Sequence, residues 1–239
     1  MVDIEKLTKL KNIINNSKKI VFFGGAGVST ASNIPDFRGA EGLYNYTPEM
    51  IISHSFFMSN TKEFYEFYFN KMVYKDALPN PTHYFLVHLE NEGKLSSIIT
   101  QNIDGLHQKA GSKKVYELHG SVLRNYCMKC NKYYDLENLN IIDGIPRCQC
   151  GSIVKPDVVL YEESLDNKLI IDSINEISKA DTLIVCGTSL VVYPAAGLIR
   201  YFKGKNLVII NLGITPFDNN ADLVIDGRCE EYLNIKNFK

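Results

Sequence analysis

Hydrophobic residues are arranged in two different ways along the chain: at helical spacing, which is typical of amphipathic helices, and in continuous runs, which are typical of buried strands. Apolar residues recur at helical spacing from Ile4 to Ile14, which predicts an amphipathic helix over residues 3–16. Residues 20–23 are uniformly apolar and end at Gly24-Gly25, which predicts a buried parallel strand leading into a tight turn. Similar apolar runs predict further strands at residues 97–100, 182–186, 207–211 and 222–225.

Helices are predicted between these strands. The aromatic-rich segment 61–74 is one, and Asn80-Pro81 places a capping residue and an initial proline at the start of another, which Gly93 closes. A third helix is predicted to begin at Tyr193-Pro194. Strands that alternate with helices predict an α/β fold with a Rossmann-like, doubly wound and mostly parallel sheet.

Residues 125–154 interrupt this alternation because they are rich in turns and cysteines. We interpret them, together with the helical segment 41–76, as a smaller inserted domain. The larger Rossmann-like domain then comprises residues 1–40, 77–124 and 155–239.

Composition narrows the class of protein. With 239 residues, 45% of them hydrophobic, the chain can bury a substantial core. A formal net charge of −1 argues against direct nucleic-acid binding, and no stretch reaches the ~18 uncharged apolar residues of a membrane span. The charged segment 1–19 has no apolar core of a signal peptide, so we expect a cytoplasmic protein. Its six cysteines are therefore expected to be metal ligands and free thiols.

Four of the cysteines form two pairs. Cys127-x-x-Cys130 is separated by seventeen residues from Cys148-x-Cys150, close to the spacing of a Cys₄ zinc ribbon. Four thiolates complete a tetrahedron, so the predicted zinc is structural and has no open position. The alternative is four unligated cysteines in a loop. Cys186 lies within a predicted buried strand and is expected in the core.

A glycine-rich loop follows the first strand. Gly25-Ala26-Gly27, with Thr30 shortly after, would let a pyrophosphate approach the backbone near a helix N-terminus. The alternative is a glycine turn that only closes the strand. No acidic residue follows at a strand end about twenty residues later, which counts against a hydride-transfer dehydrogenase.

Polar residues also follow later strands. Gln101 to Asp104 come directly after the strand at 97–100, and carboxyl ends of parallel strands are where α/β sheets bind ligands. A capped loop would explain the same residues. His119 follows an apolar run and precedes a glycine, and an imidazole pKa near ~6.5 suits a general base. His54, His83 and His88 are assigned structural roles, and His107 is expected to start or cap a helix.

Four segments carry a family resemblance. Residues 25–29 (GAGVS), 34–39 (IPDFRG), 100–107 (TQNIDGLH) and 117–120 (ELHG) precede the paired cysteines in this order. Together they resemble the sirtuins, the NAD-dependent protein-lysine deacylases, over roughly residues 20 to 229. The resemblance implies structural zinc, NAD as co-substrate, and acetyl-lysine-bearing proteins or peptides as partners.

The resemblance also implies roles for individual residues. Gln101 and Asn102 would contact the nicotinamide ribose, Ile103 and Asp104 the carboxamide, and Phe37 would cover the reacting ribose. His119 would be the general base, with Asn102 as a second catalytic residue. The implied NAD contacts are Gly25, Ala26, Gly27, Thr30, Asp36, Phe37, Arg38, Gln101, Ile103, Asp104, His119, Gly187, Thr188, Ser189, Asn211, Leu212 and Cys229.

The segment 156–163 resembles the acyl-peptide strand of the family, which implies substrate contacts from Val158, Val159 and Tyr161. The family's usual Phe-Gly-Glu is Tyr161-Glu162-Glu163 here, so a glycine is missing. Succinyl-specific sirtuins resemble one another in a Tyr-x-x-Arg pair. Tyr68 stands at the arginine's place after Tyr65, which implies a preference for acetyl or longer apolar acyl groups.

The implied reaction needs no protein nucleophile. The acyl oxygen attacks the ribose carbon as nicotinamide leaves, and His119 then assists a ribose hydroxyl, giving free lysine and O-acetyl-ADP-ribose. Two alternatives stay open from the sequence. One is a mono-ADP-ribosyltransferase on the same scaffold, and the other is a catalytically silent NAD-sensing or zinc-ribbon interaction module.

Overall fold

The computed structural model of the protein describes residues 2–36 and 47–238. Its strands are β1 (Ile20–Gly24), β2 (Leu95–Thr100), β3 (Val115–Glu117), β4 (Gly120–Cys127), β5 (Tyr133–Asp135), β6 (Ile141–Ile142), β7 (Ile145–Pro146), β8 (Val154–Val158), β9 (Thr182–Cys186), β10 (Asn206–Asn211) and β11 (Leu223–Asp226). Its α-helices are α1 (Ile4–Asn16), α2 (Pro48–Ile51), α3 (His54–Ser59), α4 (Thr61–Lys71), α5 (Pro81–Asn91), α6 (Leu106–Ala110), α7 (Asn167–Lys179) and α8 (Cys229–Tyr232).

The larger sheet has six parallel strands in the order β11-β10-β9-β1-β2-β3. The chain moves from β1 toward β3 on one side, and later from β9 toward β11 on the other. The strand order therefore reverses beside β1, and such a switch point opens a crevice at the carboxyl ends of the strands. The predicted Rossmann-like, doubly wound sheet is confirmed.

Both faces of this sheet are covered. Ile20 and Phe22 of β1 pack with α1 and α5 on one face, whereas Val21 and Phe23 pack with α7 on the other. Successive strand residues point to opposite faces, so two buried faces require a continuous apolar run. This is why the strand predictions were close to the observed bounds.

Helix ends follow local capping chemistry. The side chain of Asp3 accepts from the Lys6 amide at 3.1 Å and begins α1. Asn80 and His83 form a capping box at the start of α5, with proline at the first position as predicted. The helix predicted over 61–74 ends at Lys71, and the helix predicted at Tyr193-Pro194 is a 3-10 helix over Ala195–Tyr201.

The smaller part of the fold joins a helical unit to an antiparallel sheet. Helices α3 and α4 supply an aromatic cluster that includes Phe57, Phe64 and Tyr68, and Val122 and Val158 of the three-stranded sheet β5-β4-β8 pack against it. The domain boundaries expected after 124 and before 155 fall within β4 and β8, so these strands cross from one part to the other.

One cysteine prediction was wrong. Cys186 and Cys229 form a disulfide, with their Cα atoms 6.2 Å apart, instead of remaining free thiols. They are 43 residues apart in sequence, but β9 ends and α8 begins in the same core cluster. Two buried thiols thus meet through the fold, which cysteine spacing alone does not reveal.

In the described parts of the chain, no helix combines the length and apolar character needed to cross a membrane.

Two buried histidines, one on α5 and one on α6, are in ring contact. The rings of His83 and His107 lie 4.7 Å apart, and the side chains are 0% and 1% exposed. Burial lowers the pKa of His83 to about 4. Burial lowers the pKa of His107 well below its usual value, and the neighbouring His83 adds to this effect. Both rings are therefore neutral in the folded protein at pH 7.

We expect the free energy of unfolding to fall as pH drops from about 6.5 toward 4. In this window the unfolded chain binds protons that the folded histidines exclude, which costs about 1.4 kcal/mol per pH unit for each ring. Urea unfolding at pH 7, 6 and 5 should show a smaller pH slope for His107→Phe. A His88→Gln control, at an exposed ring beside Glu92, should keep the wild-type slope. An unchanged slope in His107→Phe would contradict the assignment.

Candidate active site

The loops that follow β1 and β9 meet at the carboxyl edge of the large sheet. The Gly25 amide donates to the carbonyl oxygen of Cys186 at 3.1 Å, and the Gly27 amide donates to that of Gly187 at 2.8 Å. A Cβ atom on Gly27 would lie 2.7 Å from the Cα atom of Gly187. Only glycine allows the two backbones to approach this closely. The glycine loop is thus packed against the switch point of the sheet.

Two short 3-10 helices, Ala26–Val28 and Thr30–Ser32, follow the glycine loop. Thr30 Oγ1 donates to the carbonyl oxygen of Gly27 at 3.0 Å and so holds the loop closed. Asp36 lies at the end of this described segment. The predicted site residues Phe37 and Arg38 lie outside the described residues.

Gln101 connects the loop after β2 to both neighbouring loops. Its amide donates to the Gly24 carbonyl at 2.9 Å, and its Oε1 accepts from Thr188 Oγ1 at 3.0 Å. Gln101 Nε2 is buried and has no hydrogen-bond partner among the described residues. A buried donor without a partner lowers the stability of the fold, so we expect this nitrogen to donate to an acceptor on a ligand that enters the crevice.

Ser29 is a residue that sequence reasoning did not select. Its hydroxyl donates to Asp104 Oδ2 at 2.6 Å and accepts from Asn102 Nδ2 at 3.0 Å. The side chain is 1% exposed, so this one hydroxyl fixes both predicted site residues. The available signal was its position at the end of the GAGVS string, where a small hydroxyl residue follows the glycines.

Asp104 is held from two sides. Besides the bond from Ser29, its Oδ1 accepts from the Leu106 amide at 2.8 Å, at the start of α6. Burial raises the pKa of the Asp104 carboxyl, although the two hydrogen bonds act in the opposite direction. His107 lies within α6 and is buried, whereas Gly105 occupies the capping position.

His119 lies beside the same loop. Its Nδ1 is 3.0 Å from the carbonyl oxygen of Gln101. Because a carbonyl only accepts, Nδ1 carries the proton, and Nε2 keeps its lone pair in the neutral ring. Burial lowers the pKa of His119, and the bond to Gln101 opposes this effect. The ring is therefore neutral near pH 7 and can accept a proton.

The chain around His119 is joined to β8. The Val159 amide donates to the His119 carbonyl at 3.0 Å, and Gly120 pairs with Val158. Gly120 has φ 74°, and a Cβ atom there would lie 1.7 Å from the Asp157 carbonyl oxygen, so glycine is required. Val158 and Val159 therefore lie next to His119, and β8 is the last strand of its sheet.

The segment that follows β8 is attached to α3. The His54 amide donates to the Tyr161 carbonyl at 3.0 Å. Glu162 stands where a glycine was expected and has φ 75°, in the left-handed region. Its carboxylate accepts from the Ser55 amide at 2.8 Å and from Ser55 Oγ at 2.9 Å. These bonds cap α3 and offset the backbone strain of a non-glycine residue.

The remaining predicted contacts follow β9 to β11 at the same edge of the sheet. Ser189 continues the loop after Gly187, and Asn211 Nδ2 donates to the carbonyl oxygen of Leu212 at 3.1 Å. Leu212 is 63% exposed, whereas Cys229 is 2% exposed and its sulfur is bonded to Cys186. Any contact of Cys229 with a ligand would therefore involve its backbone.

The four paired cysteines form a separate cluster at the far end of β4. The sulfurs of Cys127, Cys130, Cys148 and Cys150 all lie within 4.8 Å of one another. The Cys127–Cys150 and Cys130–Cys148 distances are 3.5 and 3.6 Å. Tetrahedral zinc with ~2.3 Å bonds would separate its sulfurs by ~3.8 Å, so the cluster fits zinc.

Backbone donors surround these sulfurs. The amides of Lys129 and Cys130 point to the Cys127 sulfur at 3.4 and 3.5 Å, and the Cys150 amide points to the Cys148 sulfur at 3.5 Å. Tyr134 also donates its hydroxyl to the Cys148 sulfur at 3.2 Å. Such outer hydrogen bonds stabilise thiolates and orient them as ligands. The unligated-loop alternative does not explain this arrangement.

Relatives of this chain are found among bacterial proteins. A model of the Sir2 family matches residues 25–194. The chain is 60% identical over 241 residues to the NAD-dependent protein deacetylase of Clostridium acetobutylicum, covering 98% of each protein. It is 60% identical over 237 residues to that of Clostridium perfringens, covering 96% of this chain and 97% of the relative.

Solved structures give the same family. A Sir2 homologue in complex with NAD has a TM-score of 0.89 and 37% identity, covering 96% of this chain and 92% of that one. Sir2 bound to an acetylated peptide has a TM-score of 0.84 and 39% identity, covering 95% of both chains. The chain therefore belongs to the Sir2 family, as the order of its sirtuin-like motifs predicts.

Proposed function

We propose that this protein removes acetyl groups from lysine side chains of proteins in an NAD-dependent reaction. The observation that carries the proposal is the His119 imidazole, oriented by the Gln101 carbonyl beside the glycine loop. Relatives that are 60% identical over nearly their whole length are NAD-dependent protein deacetylases. Acetyl-lysine-bearing proteins or peptides are accordingly the expected partners.

The residues at the switch point fit NAD. The glycine loop follows β1 at the carboxyl edge of the sheet, where open α/β sheets bind ligands, and the unpartnered Gln101 Nε2 suits a ribose hydroxyl. We assign the pyrophosphate to the loop of Gly25 to Gly27, and the adenosine half to Ser189 and Asn211. When bound, NAD supplies the ribose carbon that receives the acetyl oxygen, with nicotinamide as the leaving group.

Four side chains prepare the nicotinamide end of the site. Ser29 holds both Asn102 and Asp104 through one hydroxyl, and we assign Asn102 to the ribose and Asp104 to the carboxamide. His119 then takes a proton from a ribose hydroxyl at its free Nε2. Because burial lowers the pKa of His119, the basic form is present at neutral pH.

The acetylated peptide would add a strand to the edge of β8, with Val158 and Val159 beside His119. Tyr161 would line the same path, and its backbone is held by α3. Zinc at the cysteine cluster would hold together the turn-rich end of the sheet and take no part in the chemistry. Cytoplasmic location and lack of direct nucleic-acid binding stay predictions from the sequence.

Mass spectrometry of an acetyl-lysine peptide incubated with NAD tests the proposal. Loss of the acetyl mass, together with nicotinamide and O-acetyl-ADP-ribose, is the expected result. A gain of the ADP-ribose mass would indicate an ADP-ribosyltransferase instead. An unchanged peptide without nicotinamide release would indicate a silent binding module.

His119→Tyr should lower the deacetylation rate by roughly 10²- to 10⁴-fold, because the general base is lost. NAD binding, measured by calorimetry, should be largely retained. His88→Gln, at an exposed histidine on α5, is the matched control and should keep the wild-type rate. Near-wild-type turnover by His119→Tyr would refute the role of the imidazole.

Freshly purified protein should contain about one zinc ion per chain, and Cys148→Ser should lose it. Strong chelators should decrease the melting temperature, because the energy of metal binding in such sites is folding energy. Cys229→Ser alters a cysteine outside the cluster and should keep its metal. Active protein with negligible zinc would contradict a structural ion.

Acetyl-lysine should be preferred to succinyl-lysine. Tyr68 and Tyr65 are buried, and their hydroxyls donate to the carbonyls of Val122 at 3.4 Å and Val154 at 2.5 Å. Tyr68 stands at the arginine's place and carries no positive charge. A succinyl carboxylate near this aromatic cluster would therefore be desolvated without compensation. We expect kcat/KM to be at least roughly tenfold higher on an acetyl peptide than on its succinyl twin. The opposite order would overturn this prediction.

A further inference from the structure

Arg124 joins two carboxylates that belong to different parts of the fold. Its Nη1 donates to Glu117 Oε2 at 2.6 Å, and its Nε donates to Asp157 Oδ2 at 2.8 Å. Glu117 is the last residue of β3 in the large sheet, whereas Asp157 lies on β8 in the small sheet. One guanidinium therefore connects the two sheets at their junction.

A β-bulge places Arg124 at this point. The pairing of β4 with β8 shifts between Ser121, opposite Asp157, and Asn125, opposite Pro156. The three intervening residues leave the ladder with β8, although Arg124 stays opposite Asp135 in the ladder with β5. The first of the three, Val122, donates its amide to the Ile103 carbonyl at 3.0 Å. A bulge of this kind redirects side chains, and here it brings Arg124 to both carboxylates.

Glu117 makes the contact energetically important. Its side chain is 7% exposed, whereas that of Arg124 is 37% exposed. A buried carboxylate without a cation would bear an uncompensated desolvation penalty, so the guanidinium is required while Glu117 is charged. Asp157 is 39% exposed, so its hydrogen bond orients the Arg124 guanidinium more than it adds to the free energy of unfolding.

The Glu117–Arg124 ion pair encloses the segment that carries His119. Glu117 and Arg124 are seven residues apart, and His119 and Gly120 lie between them. The same segment receives the Val159 amide on the His119 carbonyl. The arginine thus holds together both ends of the segment 117–124, whose middle carries the imidazole and contacts the segment after β8.

We infer that Arg124 is a positioning residue that sets the distance between His119 and the strand that binds the acyl peptide. The inference rests on the proposed deacetylase function and extends it to a residue that would touch neither NAD nor the acetyl group. Loss of Arg124 should therefore affect use of the peptide more than use of NAD.

The test compares Arg124→Met with the double variant Glu117→Gln/Arg124→Met in steady-state kinetics and thermal unfolding. Arg124→Met should lower kcat/KM for an acetyl peptide by roughly ten- to a hundredfold, because small misplacements of reacting groups have effects of this size. The KM for NAD should change less than about twofold. The double variant removes the unpaired buried charge, so its melting temperature should recover while its kcat/KM for the peptide stays low.

Arg200→Met, at an exposed arginine in the 3-10 helix Ala195–Tyr201, is the matched control and should behave as wild type. Recovery of kcat/KM in the double variant would show that Arg124 only neutralises Glu117, and would overturn the inference. Parallel loss of NAD and peptide use would overturn it as well. A wild-type protein without NAD-dependent deacetylation would instead refute the proposed function, and the inference with it.

Discussion

The close contact between Gly27 and Gly187 is the constraint on which the rest of the site depends. Neither residue can carry a side chain there, and the contact holds the ends of β1 and β9 together at the switch point of the sheet. Gln101 then bonds to Gly24 and Thr188, so the loop after β2 is positioned by the same two strands. The remaining polar groups of the site are arranged from this fixed edge.

Burial determines protonation around that edge. The Asp104 carboxyl and the His119 imidazole have pKa values shifted in the directions that favour their neutral forms. Hydrogen bonds from Ser29 and to Gln101 orient the same groups, so each is both fixed and poorly hydrated. The polar side chains of such a site need to move little when substrates enter.

The sequence predicted the parts of this protein that depend on periodicity or spacing. Five of the six strands of the large sheet were located within about two residues, because burial on both faces leaves a continuous apolar run, whereas no strand bounds were predicted for the short β3. The cysteine cluster and the strand-end position of His119 were also anticipated. Contacts between segments that are distant in sequence were not predicted. Examples are the Cys186–Cys229 bond, the hydrogen bonds of the Ser29 hydroxyl and the bulge that carries Arg124. Such contacts depend on tertiary packing, which leaves no regular signal along the chain.

The edge position of β8 has a consequence for self-association. A strand edge able to accept a peptide is equally able to pair with a second copy of the chain, and exposed edges are common starting points of aggregation. Lys155, Pro156 and Asp157 follow one another on this strand, and Lys155 Nζ already donates to the Val158 carbonyl at 2.9 Å. Charges and a proline discourage long, flat pairing. These features favour a short extended partner over pairing with the whole edge of a second copy.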